Sequence, residues 1–186
     1  MSDGGNVLVV EGDDELRAAY DRVLAEFYSV STAACGERAF ETMTDDTDAV
    51  VLDRPLPKMS VAALVGELTA RYDRCCVGMV TSSEPHFDVT RWLGIDDYLV
   101  KPVTTEQLRA TVDRLIALAE YGAIYWRLSQ KRVRKSVLVQ EKSAAELERS
   151  GEFQRLEDEI DRLEAELDDI VDEVSETARG LKHHDS

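Results

Sequence analysis

The first 120 residues alternate short apolar runs with longer amphipathic segments. Apolar runs bounded by Gly, Asp or Pro are typical of buried strands, and they cover residues 6–10, 28–32, 49–52, 76–80 and 98–100. Segments with helical spacing of apolar residues lie between and after them, at 14–26, 36–43, 60–70, 85–93 and 104–120. Strand–helix alternation repeated five times predicts an α/β fold, a five-stranded parallel sheet that is doubly wound with helices on both faces.

A different pattern fills the last third of the chain. Apolar residues recur there at alternating steps of three and four, namely Phe153, Leu156, Ile160, Leu163, Leu167, Ile170 and Val174. This spacing predicts a coiled coil or a helical hairpin. Glutamates flank the seam and would repel those of a parallel copy, whereas the preceding residues 127–135 are basic. We therefore predict an antiparallel intramolecular hairpin that turns near Ser150–Gly151.

The charge of the chain is strongly acidic, with 38 acidic and 22 basic side chains and a net charge of −16. Such a surplus argues against broad non-specific binding to nucleic acid or anionic lipid. Only six of the basic residues are lysines, a composition that favours a halophilic protein. Five cations within residues 127–135 would suit contacts with DNA phosphates, but pairing with the acidic helix is the preferred interpretation, and DNA binding stays open.

The sequence pattern predicts neither a membrane-spanning segment nor a secretion signal. No apolar run approaches the ~20 residues that span a bilayer, and the N-terminus lacks the features of a signal peptide. Cys35, Cys75 and Cys76 are too few and too unevenly spaced for a disulfide framework or a zinc site. The expectation is a soluble protein of the reducing cytoplasm, without membrane contact.

Polar residues follow the predicted strands at their carboxyl ends, where parallel sheets bind ligands. Glu11 and Asp13 follow the first strand, Asp53 ends the third, Thr81 follows the fourth, and Lys101 follows the fifth. We expect these side chains to converge in one pocket. Clustered carboxylates favour a hard cation such as Mg²⁺, a lysine balances their charge, and a hydroxyl can donate to a phosphoryl oxygen.

Several enzyme classes are disfavoured by what these strand ends lack. They carry no histidine, no cysteine and no serine with a base, so acyl transfer has no nucleophile and base to use. Neither Gly-x-x-x-x-Gly-Lys nor Gly-x-Gly-x-x-Gly occurs in the chain. Phosphoryl chemistry here would therefore use a side chain and a metal ion.

Four segments, 7–11, 50–57, 80–82 and 94–102, resemble the receiver domain of two-component response regulators (CheY-like, with a flavodoxin-like fold). The resemblance covers about residues 5–120 and predicts a receiver domain over 1–120. It implies that a sensor histidine kinase donates a phosphoryl group to Asp53, the phosphoacceptor. It further implies that Lys101 contacts this group, that Thr81 moves to bind it, and that Tyr98 then turns inward as part of the switch. The chain would be a phosphoacceptor and not an enzyme beyond its own phosphotransfer and dephosphorylation.

The resemblance also implies a Mg²⁺ site formed by Glu11, Asp13, Asp53 and the backbone carbonyl of Pro55. The family usually has two adjacent acids after the first strand, but Gly12 stands in the second position and Asp13 comes one residue late. Two hypotheses follow. Either the chain is a phosphorylated switch with a weakened metal site, or it is a degenerate, phosphorylation-independent receiver that acts as a constitutive interaction module.

Residues 121–186 resemble the HalX domain of haloarchaeal response regulators. The matching residues are Tyr121, Leu128, Lys131, Glu141, Lys142, Glu146, Leu147, Ser150 and the helix from Phe153. This resemblance predicts a C-terminal helical hairpin that serves as an output or interaction domain, with a role in transcription that is not established. A homodimer through the receiver or the hairpin is a further expectation.

Structural explanations compete with these functional ones at three places. Glu11 and Asp13 could cap the first helix, since Asp favours that position. Tyr98 could be a half-buried packing residue. Tyr125 and Trp126 are expected to pack against the helix that ends at residue 120.

Overall fold

A computed structural model of the chain describes residues 4–53, 59–72, 74–82 and 94–181, without the side chains of 173 and 176–181. The chain divides into two compact units, Met1–Ala119 and Glu120–Ser186. The predicted helix at 85–93 and the residue Pro55 lie outside the described residues.

The first unit contains a five-stranded parallel sheet. Its strands are β1 (Gly4–Val10), β2 (Tyr28–Ala33), β3 (Ala49–Asp53), β4 (Cys76–Thr81) and β5 (Asp97–Val100). They lie in the order β2-β1-β3-β4-β5, and every adjacent pair is parallel. The described helices of this unit are α1 (Asp14–Leu24), α2 (Gly36–Thr42), α3 (Val61–Arg71) and the first part of α4 (Thr105–Glu141). The predicted fold class is confirmed.

Two apolar clusters cover the two faces of the sheet. Leu8 and Val10 of β1 pack in one cluster with residues of α2 and α3, whereas Val7 and Val9 pack in the other with residues of α1 and α4. Successive side chains of a strand point to opposite faces, so the helices lie on both sides of the sheet. After β1 the chain first adds β2 on one side of the sheet and then β3 on the other, so the switch point of the topology lies between β1 and β3. Ligands of such sheets bind at the carboxyl ends of the strands beside this point.

The second unit is an antiparallel pair of helices. The later part of α4 packs against α6 (Gly151–Leu181) through an apolar cluster of Ile124, Leu128, Leu156, Ile160, Leu163 and Leu167. Lys135 pairs with Glu157 and Arg132 pairs with Glu164, each at a distance of 2.8 Å. The residue that comes earlier in α4 pairs with the one that comes later in α6, so the two helices run antiparallel. The predicted hairpin is therefore present and buries the predicted apolar seam from Phe153 to Leu167, whereas Ile170 and Val174 are half-buried.

The connection between the two helices differs from the predicted turn near Ser150–Gly151. Helix α4 ends at Glu141, and a short helix α5 (Ala144–Arg149) comes before α6. Ser143 and Glu146 begin α5 with a capping box, in which the two residues exchange hydrogen bonds with each other's backbone. The reversal thus extends over residues 142–150.

Helix α4 is also longer than predicted, since it runs over 37 residues without a break at 120. Tyr125 and Trp126 are 53% and 66% exposed, so the expectation that they pack against the helix ending at 120 was wrong. Both belong to that same helix, and a continuous helix cannot fold back on its own preceding turns. In the described part of the chain, no helix is long and apolar enough to span a bilayer.

Candidate functional site

The carboxylate of Asp53 lies at the centre of the site. Asp53 is the last residue of β3 and is 0% exposed. The ammonium group of Lys101 lies 2.8 Å from its Oδ1, an ion pair without the geometry of a hydrogen bond. The phenol of Tyr20 donates a hydrogen bond of 3.0 Å to its Oδ2. Each oxygen of this carboxylate therefore contacts a different side chain, one positively charged and one neutral.

Tyr20 is a member of this site that the sequence analysis missed. It comes from α1, where Leu16, Tyr20 and Leu24 follow each other at steps of four and face the sheet. Burial first, and then the charge and hydrogen bond of Asp53, raise the pKa of the Tyr20 phenol well above its ordinary value. The phenol therefore stays protonated and remains a donor. The sequence did hold one indication of this contact: a tyrosine, whose hydroxyl needs a hydrogen-bond partner when buried, lies between two leucines on the buried face of α1.

Glu11 lies beside Asp53 at the end of β1 and is 5% exposed. Its Oε1 accepts a hydrogen bond of 2.7 Å from the backbone N–H of Asp13. Its Oε2 is buried and has no hydrogen-bond partner among the described residues. Burial first, and then the adjacent Asp53 carboxylate, raises the pKa of the Glu11 carboxyl to about 7, because a proton held between the two groups relieves their repulsion. A buried carboxylate with a free oxygen is a group that a proton or a cation would stabilise.

Asp13 has a structural role at the start of α1. Its side chain is exposed, and Oδ1 accepts a hydrogen bond of 2.9 Å from the backbone N–H of Leu16, as an N-cap residue does. In the described ranges no three His, Cys, Asp or Glu residues group as metal ligands would. Glu11 and Asp53 are the two acids at this edge that could hold a cation, and the structure does not bring Asp13 into a group of three with them.

Thr81 and Lys101 lie at the ends of adjacent strands. Thr81 ends β4, is 2% exposed, and its carbonyl accepts a hydrogen bond of 2.8 Å from the backbone N–H of Lys101. Tyr98 on β5 is half-buried and packs against the cluster that contains α2 and α3. The predicted acid, lysine and hydroxyl residues are thus on the same edge of the sheet.

The buried Asp53 carboxylate is the group of this arrangement that could act as a nucleophile. Asp53 carries the only carboxylate oxygens in the described residues that are in contact with both a lysine and a tyrosine. The adjacent ammonium of Lys101 can neutralise a negative charge that arrives at this carboxylate. Such a set can hold an anionic group. The neighbouring carboxylates suit a divalent cation, and a cation together with a hydroxyl donor suits a phosphoryl group.

Comparisons with known proteins agree with this geometry. A sequence model of the response regulator receiver domain matches residues 7–113, and a model of the HalX domain matches residues 118–182. A provisionally assigned transcriptional regulator of Haloferax volcanii is 36% identical over 111 residues, which cover 59% of this chain and 19% of that protein. The alkaline phosphatase synthesis transcriptional regulatory protein PhoP of Bacillus subtilis is 29% identical over 121 residues, covering 63% of this chain and 50% of PhoP.

Solved structures show the same fold for the first unit. The response regulator protein TrrA of Thermotoga maritima, in complex with Mg(2+)-BeF, superposes with a TM-score of 0.53 at 24% identity and covers 60% of this chain and 98% of that one. The chain spans half or less of the length of the first curated relatives it matches. The chain belongs to the response regulator receiver domain family, and a HalX domain follows its receiver domain.

Proposed function

We propose that this two-component response regulator is switched by a phosphoryl group that a sensor histidine kinase transfers to Asp53. One observation carries the proposal. The Asp53 carboxylate is fully buried, pairs with Lys101, and lies beside Glu11, whose Oε2 lacks a partner among the described residues. Neighbouring buried carboxylates are costly for folding, and such groups cluster at functional sites, where a bound cation can offset their charge.

In the proposed step, an oxygen of Asp53 attacks the phosphorus of a phosphohistidine on the kinase. The P–O bond forms as the P–N bond breaks, and the electron pair of the P–N bond stays on the imidazole nitrogen. Lys101 neutralises the phosphoryl charge, and the Thr81 hydroxyl donates to a phosphoryl oxygen. Mg²⁺ held by Glu11 and Asp53 would further neutralise the phosphoryl oxygens. The chain then acts as a phosphoacceptor and has no external substrate to turn over.

The output of this switch is assigned to the helical unit. We take residues 1–120 as the receiver and 121–186 as the HalX output unit, with Thr81 and Tyr98 as the residues that respond to phosphorylation. Relatives named as transcriptional regulators support a role in transcription. Direct DNA contact through 127–135 is the weaker proposal, because Lys131, Arg132 and Lys135 are paired with glutamates of α6.

The intact mass of the full chain tests the proposal after incubation with acetyl phosphate and Mg²⁺ in molar KCl. We expect one added phosphoryl group in the unmodified chain and none in Asp53→Asn. Asp45→Asn is the matched control, since Asp45 is exposed and precedes the amino end of β3, whereas Asp53 lies at the carboxyl end, and it should keep the adduct. An adduct that persists in Asp53→Asn, or no adduct in a folded chain, would overturn the assignment.

A second candidate is a receiver that works without phosphorylation, as a constitutive interaction module. The observation in its favour is the metal site: Gly12 offers no carboxylate, and Asp13 caps α1. Gly12→Asp separates the two functions. A large gain of Mg²⁺-dependent phosphorylation would show that the native site is impaired, whereas an unchanged rate would favour the switch. Gly66→Asp, on an exposed face of α3 with open space around it, controls for the added charge.

A further inference from the structure

Tyr20 contacts the proposed phosphoacceptor directly, and the proposed phosphotransfer step does not use it. Its ring is 8% exposed within the apolar cluster of α1, α4 and the sheet, and its O–H donates to Asp53 Oδ2 over 3.0 Å. We propose that the Tyr20 hydroxyl shortens the lifetime of the phosphorylated state, because it stabilises the free Asp53 carboxylate more than the phosphorylated one. This inference rests on the proposed function.

The two states of Asp53 differ in their strength as hydrogen-bond acceptors. In the unphosphorylated protein, Oδ2 belongs to an anionic carboxylate, and a hydrogen bond to an ionised acceptor is roughly twice as strong as one between neutral groups. After phosphorylation, the same atom is the carbonyl oxygen of an acyl phosphate, provided that the oxygen beside Lys101 carries the phosphoryl group. The carbonyl is a weaker acceptor than the carboxylate. The phenol therefore favours the free acid side of the reaction.

The hydrolysis step shows where this difference acts. A water oxygen attacks phosphorus, the new P–O bond forms, and the bond between phosphorus and Asp53 breaks. The electron pair of that bond returns to the Asp53 carboxylate, and inorganic phosphate leaves. The protons of the attacking water stay on the phosphate or pass to solvent. Negative charge grows on the leaving carboxylate, and the Tyr20 O–H already points at the oxygen that shares it. The hydroxyl therefore lowers the barrier to hydrolysis.

The same contact opposes phosphorylation. A carboxylate whose lone pair accepts a hydrogen bond is a weaker nucleophile, so the hydroxyl slows attack on a phosphodonor while it speeds loss of the phosphoryl group. A purely structural role for Tyr20 predicts something else. Loosening of the site would expose the acyl phosphate to water and shorten its lifetime, which is the opposite direction.

The test compares Tyr20→Phe with Tyr28→Phe in the full chain. Tyr28 is a matched control because it belongs to the same apolar cluster, is 5% exposed, and also donates to a carboxylate, that of Asp113, away from Asp53. Each protein is phosphorylated with acetyl phosphate and Mg²⁺, the donor is removed, and the adduct is followed by intact mass. We expect Tyr20→Phe to lengthen the lifetime about five- to tenfold and to raise the initial phosphorylation rate, with Tyr28→Phe unchanged.

Incorporation of 3-fluorotyrosine at position 20 extends the test in the other direction. Fluorine makes the phenol a stronger donor with little change of shape, so the lifetime should fall below that of the unmodified chain. An unchanged or shorter lifetime in Tyr20→Phe, a longer one with 3-fluorotyrosine, or an equal change in Tyr28→Phe would each overturn the inference. If no folded variant forms an adduct, the proposed function fails and the inference fails with it; the adduct measured before donor removal distinguishes this case.

Discussion

The hairpin of the second unit combines two kinds of contact whose strengths can be separated. Leu128 is 2% exposed and lies in the seam with Ile160 and Leu163, which are 4% and 3% exposed. The ion pairs beside the seam involve side chains that are 30–56% exposed. We predict that the apolar seam, and not the ion pairs, supplies most of the stability of the hairpin.

The expected magnitudes differ clearly. Leu→Ala at a fully buried position costs about 2–5 kcal/mol of unfolding free energy, because apolar burial is lost and a cavity remains. An exposed ion pair contributes about 0–1 kcal/mol. Replacing Lys131, Arg132 and Lys135 together by Gln should therefore cost less than Leu128→Ala, even at low salt. The cost should shrink in 1 M KCl, where the screening length falls to about 3 Å.

The assay is denaturant unfolding of the full chain, followed by far-ultraviolet circular dichroism in about 0.1 M and 1 M KCl. Leu118→Ala is the control, because Leu118 lies on the same helix but is 45% exposed; its cost should stay below about 1 kcal/mol. The reasoning would be refuted if the triple variant lost more stability than Leu128→Ala, or if salt left its cost unchanged.

Two further predictions concern a buried acid and a helix start. The pKa of Glu11 is raised to about 7, so the folded state holds its proton more tightly than the unfolded state, and stability should fall by about 2–3 kcal/mol as pH rises from roughly 4.5 to 7. In EDTA, Glu11→Gln should lose this part of the pH dependence. The measurement is the free energy of unfolding of Glu11→Gln and of the unmodified chain, compared across this pH range. Ser143→Ala removes one half of the capping box of α5 and should cost about 1 kcal/mol, measured by thermal unfolding.

The fold could be predicted from the sequence because its periodicities are strong. The apolar run at 6–10 became β1, Gly4–Val10, and the run at 49–52 became β3, Ala49–Asp53. The end of the fifth predicted helix could not be read as well. The change of charge at residue 121 suggested a boundary, yet Gly122 is exposed with open space around it, and a single glycine costs a helix only about 1 kcal/mol. Charge composition thus changed where the backbone did not.

The candidate site was only partly predictable. Asp53 and Lys101 were found because parallel strands bring their carboxyl ends to one edge, and the structure pairs them directly. Tyr20 was not found, because the site was predicted from residues at strand ends, whereas Tyr20 lies in a helix. Its contact depends on which turn of α1 faces the end of β3. Asp13 was assigned to the metal by its position in sequence, whereas the local preference of aspartate for a helix N-cap decided where its Oδ1 lies.

Chemical trapping of the phosphorylated residue identifies the phosphoacceptor. The full chain is incubated with acetyl phosphate and Mg²⁺ in molar KCl and treated with sodium borohydride, which reduces an aspartyl phosphate to homoserine, and the peptides are then mapped by mass spectrometry. We predict homoserine at position 53 and at no other aspartate. Homoserine at a different position, or its absence from a chain that remains folded, would contradict it.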